Sequence, residues 1–263
     1  MRFILYQNAA HWFDPISTIQ NIEEGLFSMK GSWQKNDILV LPEMFSTGFV
    51  TESSHLSDKT QVIKNQEYTL NWMCRFSQEH QITVTGSLPY WNGELLFNSL
   101  MIIKEGNKSP IFYNKRHLFG IAGEKLMYSA GGDRTIYNSG EWRMNLSICY
   151  DLRFPVWLRN KNDYDILICI ANWPVGRANA WRSLLIARAI ENQCYVFGVN
   201  RVGNDSTGTI YSGGSLVVGP DGVVLHEMND DVGFLCFEPD ASFLSKFRRA
   251  YPFLKDCDDF TLI

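Results

Sequence analysis

The sequence predicts a mixed α/β fold in which β-sheets stack and helices cover the outer sheet faces, giving α-β-β-α layers. Two observations predict it. Strands alternate with amphipathic helices in the first third of the chain and again in its second half, while hairpin turns and a β-rich end supply strands without intervening helices. Because helices that alternate with strands usually cover sheet faces, a mixed sheet system with outer helices follows.

The first third of the chain is predicted to form a β-α-β-α-β unit. Residues 3–7 (FILYQ) are typical of a strand, and Asp14-Pro15 can begin a helix whose apolar residues recur with helical spacing as far as Leu26. The rest of this unit consists of a buried strand over 37–41, a helix over 65–80 and a strand over 82–87.

The remainder of the chain adds hairpins and a second alternation. The turn dipeptide Asn92-Gly93 predicts a hairpin into a strand over 96–103, with a further partner at 111–113. The later elements are expected in this order: a strand over 145–149, a helix from about Pro155, a strand over 166–171, a helix over 180–193, strands over 195–200, 213–218, 223–225 and 233–237, and a basic helix near 244–249.

Composition predicts one globular domain over residues 1–263. Hydrophobic residues make up 45% of the 263 positions and charged residues 20%, which is ample for a large core and unlike a disordered chain. The formal net charge is −4 and the basic residues are dispersed, so we expect neither a nucleic-acid nor a membrane partner. No repeat or linker divides the chain.

The cysteines and the apolar segments predict a cytoplasmic protein with free thiols. Six widely spaced cysteines occur in a chain long enough to fold without disulfides. The first apolar run is too short for a signal-peptide core, and no run of about 18 apolar residues is present. No C-x-x-C or H-E-x-x-H spacing occurs, so we expect no metal site.

Cys149 lies where an apolar strand ends and a helix is expected to begin. A sharp turn there would expose its side chain at the carboxyl edge of a sheet, where a helix N-terminus and free backbone N–H groups favour a thiolate or an oxyanion. Strand position alone nevertheless favours an ordinary buried cysteine, because free cysteine is among the most buried residue types.

Three separated motifs decide between these interpretations. The segments LPEMFSTGF (41–49), YNKRHLF (113–119) and ICYDLRFP (148–155) resemble, in order, the glutamate, lysine and cysteine motifs of the nitrilase superfamily of carbon-nitrogen hydrolases. Similarity continues through GE (123–124), ANWP (171–174) and ARAIENQ (187–193), so it covers nearly the whole chain. Within the superfamily the chain is most similar to bacterial omega-amidases, relatives of the mammalian enzyme that deamidates 2-oxoglutaramate.

The resemblance implies a four-layer α-β-β-α sandwich of the nitrilase type and a catalytic triad of Glu43, Lys115 and Cys149. A free thiol with a pKa of about 8.5 is mostly protonated at neutral pH, so the Glu43 carboxylate serves as its general base. Lys115 compensates that negative charge and stabilises the oxyanion. The Tyr150 amide N–H is expected as a second oxyanion donor, and Glu124 as an acidic residue that orients the lysine or assists proton movement.

The substrate-binding residues are less determined by sequence. Phe45 and Trp173 are predicted pocket walls because they follow strand ends within matched motifs. An omega-amidase substrate carries a distal carboxylate, for which Arg177 is the chosen partner, with Arg201 and Tyr211 as further candidates. The neighbours of the nucleophile, Asp151 and Arg153, are interpreted as structural residues.

The implied reaction is hydrolysis of the terminal amide of 2-oxo-dicarboxylic acid monoamides, such as 2-oxoglutaramate and 2-oxosuccinamate, through a cysteine thioester and without a metal or organic cofactor. The alternatives are another substrate for the same triad (a carbamoyl-amino acid, a simple amide or a nitrile), a non-catalytic nitrilase-like binding module, and a thiol redox protein. The resemblance also implies a homodimer or a larger homo-oligomer.

Overall fold

Two six-stranded sheets pack face to face at the centre of the molecule, and helices cover both outer faces, as a computed structural model shows. The structure describes residues 1–104, 106 and 109–261. The predicted α/β fold with α-β-β-α layers is therefore confirmed.

The first sheet contains three parallel strands flanked by antiparallel ones. Its order is β14-β1-β2-β3-β4-β5, in which β1, β2 and β3 run parallel and the other neighbours run antiparallel. The strands are β1 (Phe3–Gln7), β2 (Ile38–Val40), β3 (Thr83–Trp91), β4 (Leu96–Lys104), β5 (Ile111–Asn114) and β14 (Gly233–Phe237).

The second sheet repeats this plan. Its order is β13-β12-β9-β8-β7-β6, and β7, β8 and β9 are the parallel strands. The strands are β6 (Ile136–Ser139), β7 (Trp142–Ile148), β8 (Ile166–Ala171), β9 (Tyr195–Asn200), β12 (Leu216–Val218) and β13 (Val224–Glu227), and a separate ribbon pairs β10 (Val202–Asn204) with β11 (Ile210–Ser212).

Local capping explains where the helices begin. The Asp14 carboxylate accepts hydrogen bonds from the backbone N–H groups of Ile16 and Ser17, as expected for an N-cap before proline. The second long helix begins at Lys59 rather than at 65 because Asp58 caps it. The α-helices are α1 (Pro15–Gly25), α2 (Ser53–Leu56), α3 (Lys59–His80), α4 (Glu124–Met127), α5 (Ala178–Asn192) and α6 (Ala241–Ala250).

The helix expected from about Pro155 is wrong. A 3₁₀ helix occupies Cys149–Arg153 instead, and Phe154 then leaves the helical region with φ −113° and ψ 87°. The residue before a proline is sterically disfavoured in the α conformation, so the chain turns at this point rather than continuing as a helix.

Alternating side chains divide the first sheet between two cores. Leu5 of β1 packs in the core between the sheets together with Leu146 of β7, whereas its neighbour Ile4 faces outward onto Ile19 of α1 and Trp72 of α3. On the other side, α5 covers the second sheet with the side chains of Trp181, Leu185 and Ala189. Among the described residues, no helix is long and apolar enough to cross a membrane.

Candidate active site

The predicted base, the predicted lysine and the predicted supporting acid meet in one buried cluster. Glu43 follows β2, Lys115 follows β5, and Glu124 begins α4. The Lys115 Nζ lies 2.8 Å from Glu43 Oε1 and 2.9 Å from Glu124 Oε2. All three residues are at most 1% exposed. The structure therefore brings together three residues that are distant in sequence.

A strained turn fixes the Glu43 backbone. The following residue, Met44, has a positive φ of 43°, which side chains other than glycine rarely adopt. Its N–H donates to Ser87 Oγ at 2.8 Å, and the Phe45 N–H donates to the Ser87 carbonyl at 3.2 Å. These contacts with β3 hold the turn in a conformation that would otherwise be unfavourable.

Two asparagines that sequence reasoning missed complete the surroundings of Glu43. Asn98 of β4 donates from Nδ2 to Glu43 Oε1 at 2.8 Å and to Glu124 Oε1 at 3.1 Å. Asn172, which follows β8, donates its backbone N–H to Glu43 Oε2 at 2.8 Å. We name Glu43, Asn98, Lys115 and Glu124 the charged cluster. The signal for Asn98 was an amide inside an apolar strand, since a buried polar group needs a partner.

The charges in the cluster stabilise one another against burial. Burial disfavours the Lys115 ammonium, but the negative charges of Glu124 and Glu43 outweigh it and raise the Lys115 pKa well above its usual range. Burial raises the pKa of Glu124, opposed by the Lys115 charge and reinforced by Glu43. The lysine is therefore a fixed positive charge throughout the physiological pH range.

Cys149 lies at the turn that the sequence predicts. It directly follows β7, begins the 3₁₀ helix and has a positive φ of 47°. Its half-buried Sγ lies 3.9 Å from the Asn172 carbonyl oxygen and lines a cavity. A nucleophile on a strained strand-to-helix turn is exposed to substrate while its backbone stays rigid.

The expectation that the helix N-terminus favours a thiolate is wrong. Burial and the negative charge of Glu43 raise the Cys149 pKa well above its usual range, and the Lys115 charge only partly opposes them. The 3₁₀ helix has only five residues, so its dipole is small. The resting nucleophile is therefore a neutral thiol that needs a base during attack.

The residues around the nucleophile have separate structural places. Tyr150 is the second residue of the 3₁₀ helix, where backbone N–H groups lack intrahelical acceptors. The buried Asp151 carboxylate accepts from the Ile148 N–H at 3.0 Å, the Tyr113 hydroxyl at 2.7 Å and the His117 N–H at 2.9 Å. These contacts hold the turn, in agreement with the structural interpretation of Asp151.

A cavity of about 370 Å³ opens above Cys149. Its volume lies in the range of small-molecule sites, and Cys149 and Asn172 line it next to the charged cluster. Among the described residues, no group of three or more His, Cys, Asp or Glu side chains is arranged to hold a metal ion. The other lining residues are Trp12, Phe49, Thr51, Glu52, Phe119, Ala122, Tyr150, Arg153, Trp173, Pro174, Arg177, Asp205, Thr207, Thr209 and Tyr211. We call this cavity the pocket.

Two exposed arginines line the pocket. The Arg153 guanidinium lies over the Trp173 ring at 4.9 Å, and that of Arg177 over the Phe119 ring at 5.2 Å. Within the described part of the chain neither guanidinium forms an ion pair. Sequence reasoning missed Arg153, which was interpreted as structural. The available signal was its position at the end of the short helix that begins at the nucleophile.

Two predicted pocket residues lie elsewhere. Phe45 is 1% exposed and packs against the Trp72 ring and Gly86, where an added Cβ would lie 2.7 Å from Phe45 Cδ1. The Arg201 guanidinium is also buried and donates to the carbonyls of Ala10, Val202 and Asn204, behind the Tyr211 ring. The predictions of Phe45 as a pocket wall and Arg201 as an anchor are wrong because both side chains belong to the interior.

The family model described as carbon-nitrogen hydrolase matches residues 5–237 of the chain. The chain belongs to the carbon-nitrogen hydrolase family. The resemblance drawn from the three motifs is thereby confirmed, and the protein is a hydrolase of amide carbon–nitrogen bonds.

Relatives and solved structures extend along the whole chain of this hydrolase. Omega-amidase YafV of Escherichia coli K12 is 36% identical over 263 residues, covering 100% of this chain and 98% of that protein. The 2-oxoglutaramate amidase of Bacillus subtilis 168 is 31% identical, covering 90% and 91%. The structure of XC1258 from Xanthomonas campestris, a superfamily protein with an arsenic adduct in its active site, gives a TM-score of 0.90 at 32% identity, covering 100% and 98%. A mutant of the Nesterenkonia AN1 amidase gives 0.80 at 25% identity, covering 95% and 97%.

Proposed function

We propose that the protein is an omega-amidase that hydrolyses the terminal amide of 2-oxo-dicarboxylic acid monoamides, with 2-oxoglutaramate and 2-oxosuccinamate as substrates. The observation that carries the proposal is a thiol beside a buried Glu–Lys–Glu cluster at a pocket that also holds two arginines without acidic partners among the described residues. The similarity to proteins named omega-amidase and 2-oxoglutaramate amidase supports the same substrate class.

Acylation begins when Cys149 Sγ attacks the amide carbon. The thiol proton moves to Glu43 as the S–C bond forms, and the carbonyl electron pair moves onto oxygen. The Lys115 ammonium and the Tyr150 N–H stabilise that oxyanion. The oxyanion then reforms the carbonyl, the C–N bond breaks, and the leaving nitrogen takes the proton from Glu43 and departs as ammonia. A thioester on Cys149 remains.

Deacylation reverses these roles with water as the nucleophile. Glu43 takes a proton from water as the new C–O bond forms, and the C–S bond then breaks. The departing sulfur recovers the proton from Glu43, so the thiol is regenerated and the 2-oxo acid is released. The net reaction is amide plus water giving carboxylic acid plus ammonia, and every proton step uses residues of this chain.

The neutral resting thiol explains why the base and the cation act as one unit. Since the Cys149 pKa lies well above its usual range, the proton must leave during attack rather than beforehand. Glu124 holds the Lys115 ammonium with two contacts of 2.9 and 3.0 Å, so the cation keeps its place while Glu43 changes its protonation state. Glu124 is thus a positioning residue for the lysine.

The two pocket arginines supply the charge that a distal carboxylate needs. Both guanidinium groups lie over aromatic rings, which restricts their orientation while leaving their N–H groups available. Trp173 orients one of these cations and donates from Nε1 to the Arg177 carbonyl at 2.8 Å. Arg153 therefore joins Arg177 as a proposed anchor for the substrate carboxylate.

An ammonia-release panel tests the substrate class. The panel compares 2-oxoglutaramate, 2-oxosuccinamate, glutamine, asparagine, carbamoyl-β-alanine and a simple nitrile at matched concentrations. We expect the two 2-oxo monoamides to give the highest kcat/KM, together with an acyl adduct on Cys149 that mass spectrometry detects after rapid quenching. A preference for the nitrile or the carbamoyl compound would contradict the substrate assignment, and no ammonia from any amide would favour a binding module.

The proposal includes a homo-oligomer, at least a dimer. Large apolar side chains are exposed around α5 and the nucleophile turn: Val156 is 52%, Val175 45% and Ile190 52% exposed. Such a group marks an association surface. Light scattering should give twice the chain mass or more, and Val156→Glu with Ile190→Glu should lower it, whereas Phe27→Glu on the far side of the molecule should not. A wild-type monomer would contradict this.

We also assign the protein to the cytoplasm. In the described residues all six cysteines are free, which suits a reducing compartment. Cell fractionation with an antibody checks the assignment, and recovery outside the cytoplasmic fraction would overturn it.

A further inference from the structure

Asn98 lies between the two buried carboxylates of the charged cluster. It is 0% exposed, and its Nδ2 donates to Glu43 Oε1 at 2.8 Å and to Glu124 Oε1 at 3.1 Å. The opposite amide orientation would place Oδ1 against two carboxylates, so electrostatics determine which way the group faces. Both amide hydrogens of one side chain are therefore committed to the two acids.

The two oxygens of Glu43 have unequal surroundings. Oε1 receives two short bonds, from Lys115 Nζ and Asn98 Nδ2, both at 2.8 Å. Oε2 receives the Asn172 N–H at 2.8 Å and a longer contact of 3.3 Å from Asn172 Nδ2. That Nδ2 donates at the shorter distance of 2.8 Å to the Glu43 carbonyl. Since each carboxylate oxygen accepts about two bonds, Oε1 is fully occupied and Oε2 is not.

The less occupied oxygen lies on the side of the nucleophile. Asn172 donates to Oε2, and its carbonyl oxygen lies 3.9 Å from Cys149 Sγ. Both Asn172 and Cys149 line the pocket, whereas Asn98 lies behind Glu43 on the first sheet. The donors to Oε1 are thus on the far side of the base from the substrate.

We propose that Asn98 is a positioning residue that keeps Glu43 Oε1 occupied and directs the protons of the thiol and of the hydrolytic water to Oε2. The inference rests on the proposed function, because it requires Glu43 to be the general base for Cys149. Asn98 also supplies neutral donors to two carboxylates that share one ammonium. Without those donors, a proton on either acid would be favoured, and a protonated Glu43 cannot accept the thiol proton.

Replacement of the amide by an apolar group of similar size tests the proposal. Asn98→Leu should lower kcat about 100-fold, a loss within the range for an impaired general base. Its KM should change less than about twofold because Asn98 does not line the pocket. The acidic limb of the kcat/KM pH profile should move up by about one unit as the carboxylates lose a donor. Asn98→Ser, which keeps one donor, should give a smaller move in the same direction.

Asn145 offers a matched control for the same substitution. It is also a fully buried asparagine on a central strand, and neither of its side-chain polar atoms has a partner in the described structure. Asn145→Leu should leave kcat and the pH profile unchanged. Circular dichroism confirms that each variant is folded, and if Asn98→Leu does not fold, Asn98→Ser decides the question alone.

The outcomes separate this inference from the proposed function. A fall in kcat with an unmoved acidic limb for the folded variant would mean that Asn98 is merely structural and would overturn the inference. If the amidase panel reveals another preferred amide, the same profiles are measured with that amide and the inference stands or falls unchanged. Activity retained by Cys149→Ala would instead overturn the proposed function itself.

Discussion

The charged cluster and the pocket lie side by side but differ in how their charges are held. Lys115 is 0% exposed, and its ammonium contacts two carboxylates within 3.0 Å. In the pocket, Arg153 and Arg177 are exposed and contact aromatic faces instead of acids. The cluster is therefore built for one fixed arrangement of charge, whereas the pocket keeps charge available for a ligand.

This difference assigns separate tasks to the two regions. Fixed charges in a water-excluded site act on the transition state, so their loss should lower kcat. Charges that contact a distant part of the substrate act on binding, so their loss should raise KM. Changes in the two regions should therefore be distinguishable by kinetics, and the following predictions begin with the largest effect.

Removal of the nucleophile should have the largest effect because no other group can form the thioester. Cys149→Ala is expected to reduce kcat by at least about 10⁴-fold, since residual catalysis from the oxyanion donors alone is small. Ammonia release under single-turnover conditions measures the loss. Cys169→Ala, a buried cysteine of the neighbouring strand, is the control and should retain activity. An active Cys149→Ala enzyme would contradict the assignment of chemistry to the cluster.

Removal of the lysine should lower both activity and stability. Lys115→Met leaves two buried carboxylates without their cation, which costs about 3–5 kcal/mol of unfolding free energy and about 10³-fold in kcat. Urea unfolding and steady-state kinetics measure the two effects. Adding Glu124→Gln to Lys115→Met removes one of the unpaired charges and should recover part of the stability but none of the activity. Recovery of kcat as well would show that the lysine is only structural.

The same pair has a defined pH dependence. The Lys115 pKa is raised well above 10.5 in the folded protein, so its contribution to stability is complete below 10.5 and is lost as pH rises through the folded-state pKa. The difference in unfolding free energy between wild type and Lys115→Met should therefore stay constant from neutral pH to about 10 and decline only above it. A decline near pH 8 would mean that the ammonium is not held by the two acids.

The state of the nucleophile can be followed by thiolate absorbance near 240 nm. The Cys149 pKa is raised well above 9.0, so the difference spectrum between wild type and Cys149→Ala should show no thiolate at pH 7 and should develop only above pH 9. A thiolate signal at pH 7 would contradict the neutral resting thiol and would favour a preformed ion pair with Lys115.

The pocket arginines should affect KM more than kcat. Arg153→Met and Arg177→Met are made separately, and the anchor of the substrate carboxylate should raise KM for 2-oxoglutaramate by about 10–100-fold, as expected for loss of a charge-assisted contact. A neutral amide without the carboxylate should show little change. Arg182→Met is the control, because that arginine pairs with Glu227 outside the pocket. Unchanged KM in both pocket variants would remove the carboxylate from the pocket model.

Phe45 should give the smallest effect because it belongs to neither region. Phe45→Leu is expected to lower unfolding free energy by about 1–2 kcal/mol through poorer packing against Trp72, with KM unchanged. Chemical denaturation and the standard amidase assay measure this. A large rise in KM would restore Phe45 as a wall of the pocket.

The sequence predicted the cluster far better than the pocket, for a physical reason. Glu43, Lys115 and Cys149 each lie in a contiguous motif at a strand end, so local pattern locates them. Asn98 escaped because its role depends on two carboxylates that meet it only after the sheets form. The layers and most strands followed from hydrophobic periodicity.

The pocket depends on side-chain directions that periodicity does not contain. Arg153 reaches it because the chain forms a short 3₁₀ helix and turns at Phe154, where an α-helix from Pro155 was predicted. Phe45 turns away because Gly86 leaves room for its ring in the core. Arg201 was a plausible anchor by residue type, but its guanidinium is used by backbone carbonyls of neighbouring loops.

Asp151 and Asn172 fasten the two sheets together at the site. Asp151 of the second sheet's turn holds Tyr113 and His117 on either side of Lys115, and Asn172 holds Glu43. Sliding of one sheet over the other would break these bonds and separate the lysine from the thiol at once. Heat inactivation and global unfolding should therefore follow a single cooperative curve, because an inactive but otherwise folded form would have to give up the contacts that join its two halves.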